Sequence, residues 1–88
     1  MDKATKLIVS IEPLEYCRVQ ILTSDGQFVT ADLSRFKTVH CFPKTEKDWK
    51  LVSVDSSGLD LIWSSRFEVH VDQVLDNSIL VENSEKLA

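Results

Sequence analysis

Residues 16–31 read YCRVQILTSDGQFVTA, and how this stretch pairs with itself decides the fold. Cys17, Val19 and Ile21 alternate with Tyr16, Arg18 and Gln20, the two-residue period of a strand that buries one face. Thr23-Ser24-Asp25-Gly26 breaks the pattern, and Gln27 to Ala31 resumes it. Glycine has no Cβ to clash at positive φ, so Asp25-Gly26 supplies the backbone freedom a tight turn needs. An antiparallel hairpin is predicted.

Working outward, the same period runs upstream. Leu7, Val9 and Ile11 fall on one face and Lys6, Ser10 and Glu12 on the other, and Pro13 ends the strand. Downstream, Asp32 and Ser34 are residues that cap a short helical turn, in which Leu33 and Phe36, three apart, share a face. Lys37 to Lys50 is the least patterned stretch. Pro43 bars a continuous helix there, and Thr45 opens a single helical turn reaching Trp49.

Lys50 to Asp55 returns to strand character with Val52 and Val54 inward, and Ser56-Ser57-Gly58 turns the chain into Leu59 to Trp63 as a second hairpin. Beyond Trp63, Ser64 to Asp72 reads as the chain leaving the sheet into a polar margin. Val71 to Leu75 has the spacing of a short helix stopping near Asn77. Ile79-Leu80-Val81 is either a last strand or a tail lying on the core, and residues 82–88 read as a frayed end beyond an ordered core of about 6–81. The pieces predict one α+β domain: a small, mainly antiparallel sheet of hairpins with one or two short helices.

Composition narrows the function classes. A chain of 88 residues builds one modest core, and 43% hydrophobic with 27% charged residues is ordinary for a folded domain. Ten basic against fourteen acidic residues leave a net charge of −4, without the broad positive field that nucleic acid requires. The apolar run near the N-terminus alternates and stops at Glu12-Pro13, unlike a secretory leader. No segment approaches the roughly 20 apolar residues of a membrane helix. A cytoplasmic protein with no membrane contact is expected, with Cys17 and Cys41 as reduced thiols.

The order of landmarks along the chain resembles a bacterial family catalogued as domain of unknown function 2442. The resemblance is carried by IEPLEYCRVQILTSDGQFVTADLSRF at 11–36 and DWKLVSVDSSGLDLIWSSRFEVHVDQVL at 48–75. Its marks are a strand ending before Pro13, the Asp25-Gly26 turn, the Asp32-Leu33-Ser34 motif and a strand closing on Trp63. It implies an α+β fold, free-standing or fused ahead of a helix-turn-helix domain. It also implies a gene set beside another small gene, some such pairs being proposed as toxin and antitoxin. The family has no established catalytic residues to carry over. Many members place a proline and an acidic run after the tryptophan, where this chain has Ser64 to Asp72 with Arg66, Phe67 and His70, so a role needing that acidic run is not implied here.

Residues able to do chemistry are few. Cys17, His40, Cys41 and His70 are the candidates for a small enzyme or ligand binder, but burial as core thiols is the commoner fate of cysteine. His40/Cys41 and His70/Asp72 match no metal-ligand spacing, and His70 with Asp72 is better read as a surface ion pair on one strand. Gly26 and Gly58 are the only glycines, too few for a phosphate loop. Trp63 shares its parity with Leu59 and Leu61 and belongs in the core.

No cofactor or metal is called for. Arg18, Arg35 and Arg66 remain as groups suited to partner recognition, with scattered surface arginines as the plainer reading. The expectation is therefore a non-catalytic module that binds a protein, either a neighbouring gene's product or a second copy. Its expected contact residues are Trp49, Arg66 and Phe67 at a sheet margin.

Overall fold

The predicted central hairpin forms, with Arg18 opposite Asp32 and Leu22 opposite Phe28. Its positive φ falls on Gly26, at 87°, and the Gly26 amide donates to the Thr23 carbonyl at 2.9 Å. A computed structural model describes residues 6–83. Its strands are β1 (Ile8–Pro13), β2 (Arg18–Thr23), β3 (Gln27–Asp32), β4 (Ser53–Val54), β5 (Asp60–Ile62), β6 (Glu68–His70) and β7 (Ser78–Asn83). A 3-10 helix (Ser34–Thr38) follows β3, α1 (Glu46–Trp49) precedes β4, and α2 (Val71–Asp76) joins β6 to β7. The strands make two antiparallel sheets, one of four in the order β1-β2-β3-β7 and one of three in the order β4-β5-β6. This is an α+β domain.

The short helices open as their sequences dictate. The Asp32 carboxylate accepts the Ser34 amide at 2.8 Å ahead of the 3-10 helix, with Leu33 buried and Phe36 packed against the core. The Thr45 hydroxyl accepts the Asp48 amide at 3.1 Å and starts α1. Each satisfies a backbone donor that a helix start leaves free.

Three expectations are corrected. In β1 the inward residue is Ile8, while Leu7 and Val9 are exposed. Ile8 pairs with Thr23 and Ser10 with Leu22, so Val9 is an extra residue in the ladder. Such a bulge reverses side-chain parity, which is why Ile11 still meets the core. Second, the chain does not leave the sheet after Trp63. It turns through Ser64-Ser65-Arg66, with the Trp63 amide donating to the Phe67 carbonyl at 2.9 Å, and returns as β6 beside β5. Third is the end of the chain: of the two readings open for Ile79 to Val81 the last strand forms, as β7, which runs on to Asn83 and pairs Val81 with Val29. The frayed end expected at 82–88 therefore does not begin at 82, and residues 84–88 lie outside the described residues.

Apolar residues of both sheets meet in one core: Val19, Ile21 and Val29 from the larger, Leu61 and Val69 from the smaller, with Val74 of α2. Aromatic rings join the two. Trp49 and Trp63 stack at 4.8 Å between centroids, and Phe67 packs 4.9 Å from Phe42. Both indoles donate hydrogen bonds, Trp63 Nε1 to the Trp49 carbonyl and Trp49 Nε1 to the Arg18 carbonyl, each at 2.9 Å. A buried indole N–H needs such a partner. This ladder ties β5, α1 and β2 together.

Candidate interaction site

The three residues expected to face a partner separate. Trp49 and Phe67 are buried in the aromatic core, so neither presents a docking surface; their rings fill the space between the sheets. Arg66 is exposed at the tip of the β5–β6 turn, with φ at 76°. That left-handed conformation favours glycine over a residue with a Cβ.

The residues considered for chemistry sit in separate parts of the fold and in different surroundings. Cys17 is buried at the β1–β2 turn, where burial pushes its thiol pKa up, Lys37 opposes and Asp32 adds to the rise. The reactive form of cysteine is the thiolate, which this setting disfavours. His40 is exposed, and the Cys41 carbonyl accepts the Ser65 hydroxyl at 2.6 Å.

His70 and Asp72 do not share a strand as expected. His70 ends β6 and caps α2: its Nδ1 accepts the Asp72 amide and its own amide donates to the Gln73 side chain, both at 3.1 Å. An imidazole that accepts this bond has its lone pair engaged in holding the helix, although the Asp72 carboxylate lies 3.6 Å from the same nitrogen. Among the described residues no group of three or more His, Cys, Asp or Glu is placed to hold a metal ion.

The feature that stands out is β7. It is an outer strand of the four-stranded sheet, and Ile79, Leu80 and Val81 are 52%, 55% and 49% exposed. The register shifts between Thr30 and Ala31 of β3, leaving Ile79 as the bulged residue. Edge strands usually carry charges, proline or short length to prevent pairing with other chains. β7 has one bulge but an apolar centre. Three consecutive apolar residues without alternation were the mark of this edge in the sequence, since no strand with one buried face can hide all three.

Arg18 is exposed but engaged within its own chain. It pairs with Glu15 at 3.2 Å and Asp32 at 3.6 Å, and its carbonyl takes the Trp49 indole. Arg35 lies with its guanidinium 5.9 Å from the Phe36 ring centroid. The comparisons with known proteins found no matching family model, no matching curated protein and no matching solved structure. Among the described residues no helix is long and apolar enough to cross a membrane.

Proposed function

We propose that the protein is a non-catalytic interaction module of the cytoplasm that takes up an extended segment of a partner protein along the outer edge of β7. The observation that carries this reading is the exposed Ile79-Leu80-Val81 centre of an edge strand. Such an edge presents unpaired N–H and C=O groups, and an added strand satisfies them while covering the apolar side chains. A net charge of −4 sets two copies of the chain against each other and favours a different protein as occupant. The resemblance to domain of unknown function 2442 names the natural candidate, the product of a neighbouring gene in a toxin–antitoxin-like pair. The alternative, an enzyme or ligand binder working through Cys17, His40, Cys41 or His70, has less support, because Cys17 is buried as a thiol and His70 is engaged as a helix cap.

Co-expression with the neighbouring gene's product tests the reading. A complex is expected to co-purify, and Ile79→Lys with Leu80→Lys is expected to abolish it while the protein still melts cooperatively. A protein that stays monomeric and alone, or a complex indifferent to both lysines, overturns the proposal.

A further inference from the structure

We propose that Arg35, Lys37, Lys44 and Arg66 form a second docking surface, one that receives an acidic segment of a partner protein. These side chains are all exposed, and they come from two segments far apart in sequence. The segments touch. The Ser65 hydroxyl donates to the Cys41 carbonyl at 2.6 Å, and the Phe67 ring lies 6.0 Å from Phe36 and 4.9 Å from Phe42. Arg35 and Arg66 thus each precede one ring of the Phe36–Phe67 pair.

Lys37 and Lys44 border the same neighbouring feature. Lys37 Nζ sits 5.6 Å from the Tyr16 ring centroid, and the Tyr16 hydroxyl donates to the carbonyl of Pro43, beside Lys44. Ring contacts of Tyr16 with Phe42, Phe42 with Phe67 and Phe67 with Phe36 link the segments that carry these four cations.

Their lack of a carboxylate partner, shared with Lys47, sets them apart from the other described cations. Lys6, Arg18 and Lys50 each lie within ion-pair distance of a carboxylate, whereas among the described residues Arg35, Lys37, Lys44 and Arg66 do not. Charge is also divided along the chain. Residues 34–50 hold Arg35, Lys37, Lys44, Lys47 and Lys50 against Glu46 and Asp48. Residues 51–83 hold Arg66 alone against Asp55, Asp60, Glu68, Asp72, Asp76 and Glu82. The single cation of the acidic half is therefore the one whose turn packs against the basic connection. It also occupies φ 76°, where glycine is the unstrained choice, so the charge is kept at a conformational penalty.

The chemistry favours carboxylates. Guanidinium groups bind them as a fork, and complementary potential selects partners and speeds encounter. A nucleic acid, carrying dense charge over a long surface, meets the repulsion of a protein with net charge −4 beyond this patch. The patch uses residues other than β7, so it stands or falls apart from the strand-addition reading.

The test is fluorescence anisotropy with a labelled glutamate-rich peptide, and with single-stranded DNA of equal charge as a second probe. The peptide is expected to bind in a salt-sensitive manner. Arg35→Gln with Arg66→Gln is expected to weaken it by about tenfold, the loss of two partly exposed ion pairs. Ser10→Glu with Ser53→Glu, the same change of net charge at exposed positions on other strands, is expected to leave it within about twofold. Arg66→Gly separates the charge from the fold, and is expected to weaken binding without lowering the melting temperature. Absence of peptide binding, equal loss in the serine variant, or tighter binding of DNA through the same arginines overturns the proposal. Self-association at low salt that the arginine substitutions abolish would assign the patch to another copy and overturn it too.

Discussion

At position 58 two demands fall on one residue. Gly58 holds φ +78°, and a Cβ there would meet Leu7 Cβ at 3.3 Å and the Ile8 carbonyl at 3.4 Å. Its own carbonyl accepts the Ile8 amide at 2.7 Å, so the turn of the second hairpin is stitched to the start of β1. Gly58→Ala is expected to destabilise the protein by about 1 kcal/mol, a left-handed penalty of roughly 1–2 less the gain from a stiffer unfolded chain. A lower urea midpoint at unchanged slope would show it. Arg66→Gly is the converse case: φ is 76°, the side chain is exposed, and the substitution is expected not to reduce the urea midpoint. The turn roles of Gly26 and Gly58 were legible because glycine announces backbone freedom. The positive φ of Cys17, at 80°, and of Arg66 were not, because those conformations are imposed by the surrounding hydrogen bonds and packing rather than by residue type.

Among the elements, α2 is held by its first residues rather than by its length. Six residues are too few for a helix to persist on propensity, so the reciprocal bonds of His70 and Gln73 and the burial of Val71 and Val74 stabilise it. His70→Ala is expected to remove about 1 kcal/mol, and His70→Asn, which restores a side-chain acceptor, much less. Faster amide exchange at Asp72 in the alanine variant would locate the loss at this cap. The sequence shows this helix and its end near Asn77, but histidine is not a common cap, and its nearness to Asp72 points to an ion pair instead. Similar limits apply to the strands. The period in Leu7, Val9 and Ile11 was real, yet one bulge at Val9 moved the buried position to Ile8. In β6 the alternation of Phe67 and Val69 with Glu68 and His70 was present in the sequence. The nearby charges point to a surface margin instead, because a strand that short differs little from a loop in pattern alone. Phe67, between Arg66 and Glu68, and Trp49, between Asp48 and Lys50, have charged neighbours that point to a sheet margin, yet both lie in the core.

Over the whole molecule, stability depends on what joins the two sheets and on how the carboxylates at the turns are held. The indole ladder is one joint. Trp63→Phe keeps a ring but leaves the buried Trp49 carbonyl without its donor, so a loss of about 1–3 kcal/mol is expected, a large part of the total for a small domain and visible in the urea midpoint. The carboxylates set the response to acid. Hydrogen bonds from Thr23 hold Asp25 below the usual carboxylate range, those from Ser34 do so for Asp32, helped by the Arg18 guanidinium, and those from Ser57 do so for Asp55. Each group therefore releases its proton more readily in the folded state than in the unfolded chain, whose aspartates titrate near pH 3.9. Their contribution is fully present above that value and is lost as pH falls through the lower folded values, since the unfolded state then binds more protons. Urea midpoints are expected to change little from neutrality to about pH 5 as far as these groups are concerned, and to fall modestly below about pH 4, since solvent screens groups that are at least partly exposed. Asp32→Asn is expected to flatten the acid limb, because the amide still accepts the Ser34 N–H but has no proton to gain. An acid limb as steep in this variant as in the parent would remove Asp32 from the set that sets it.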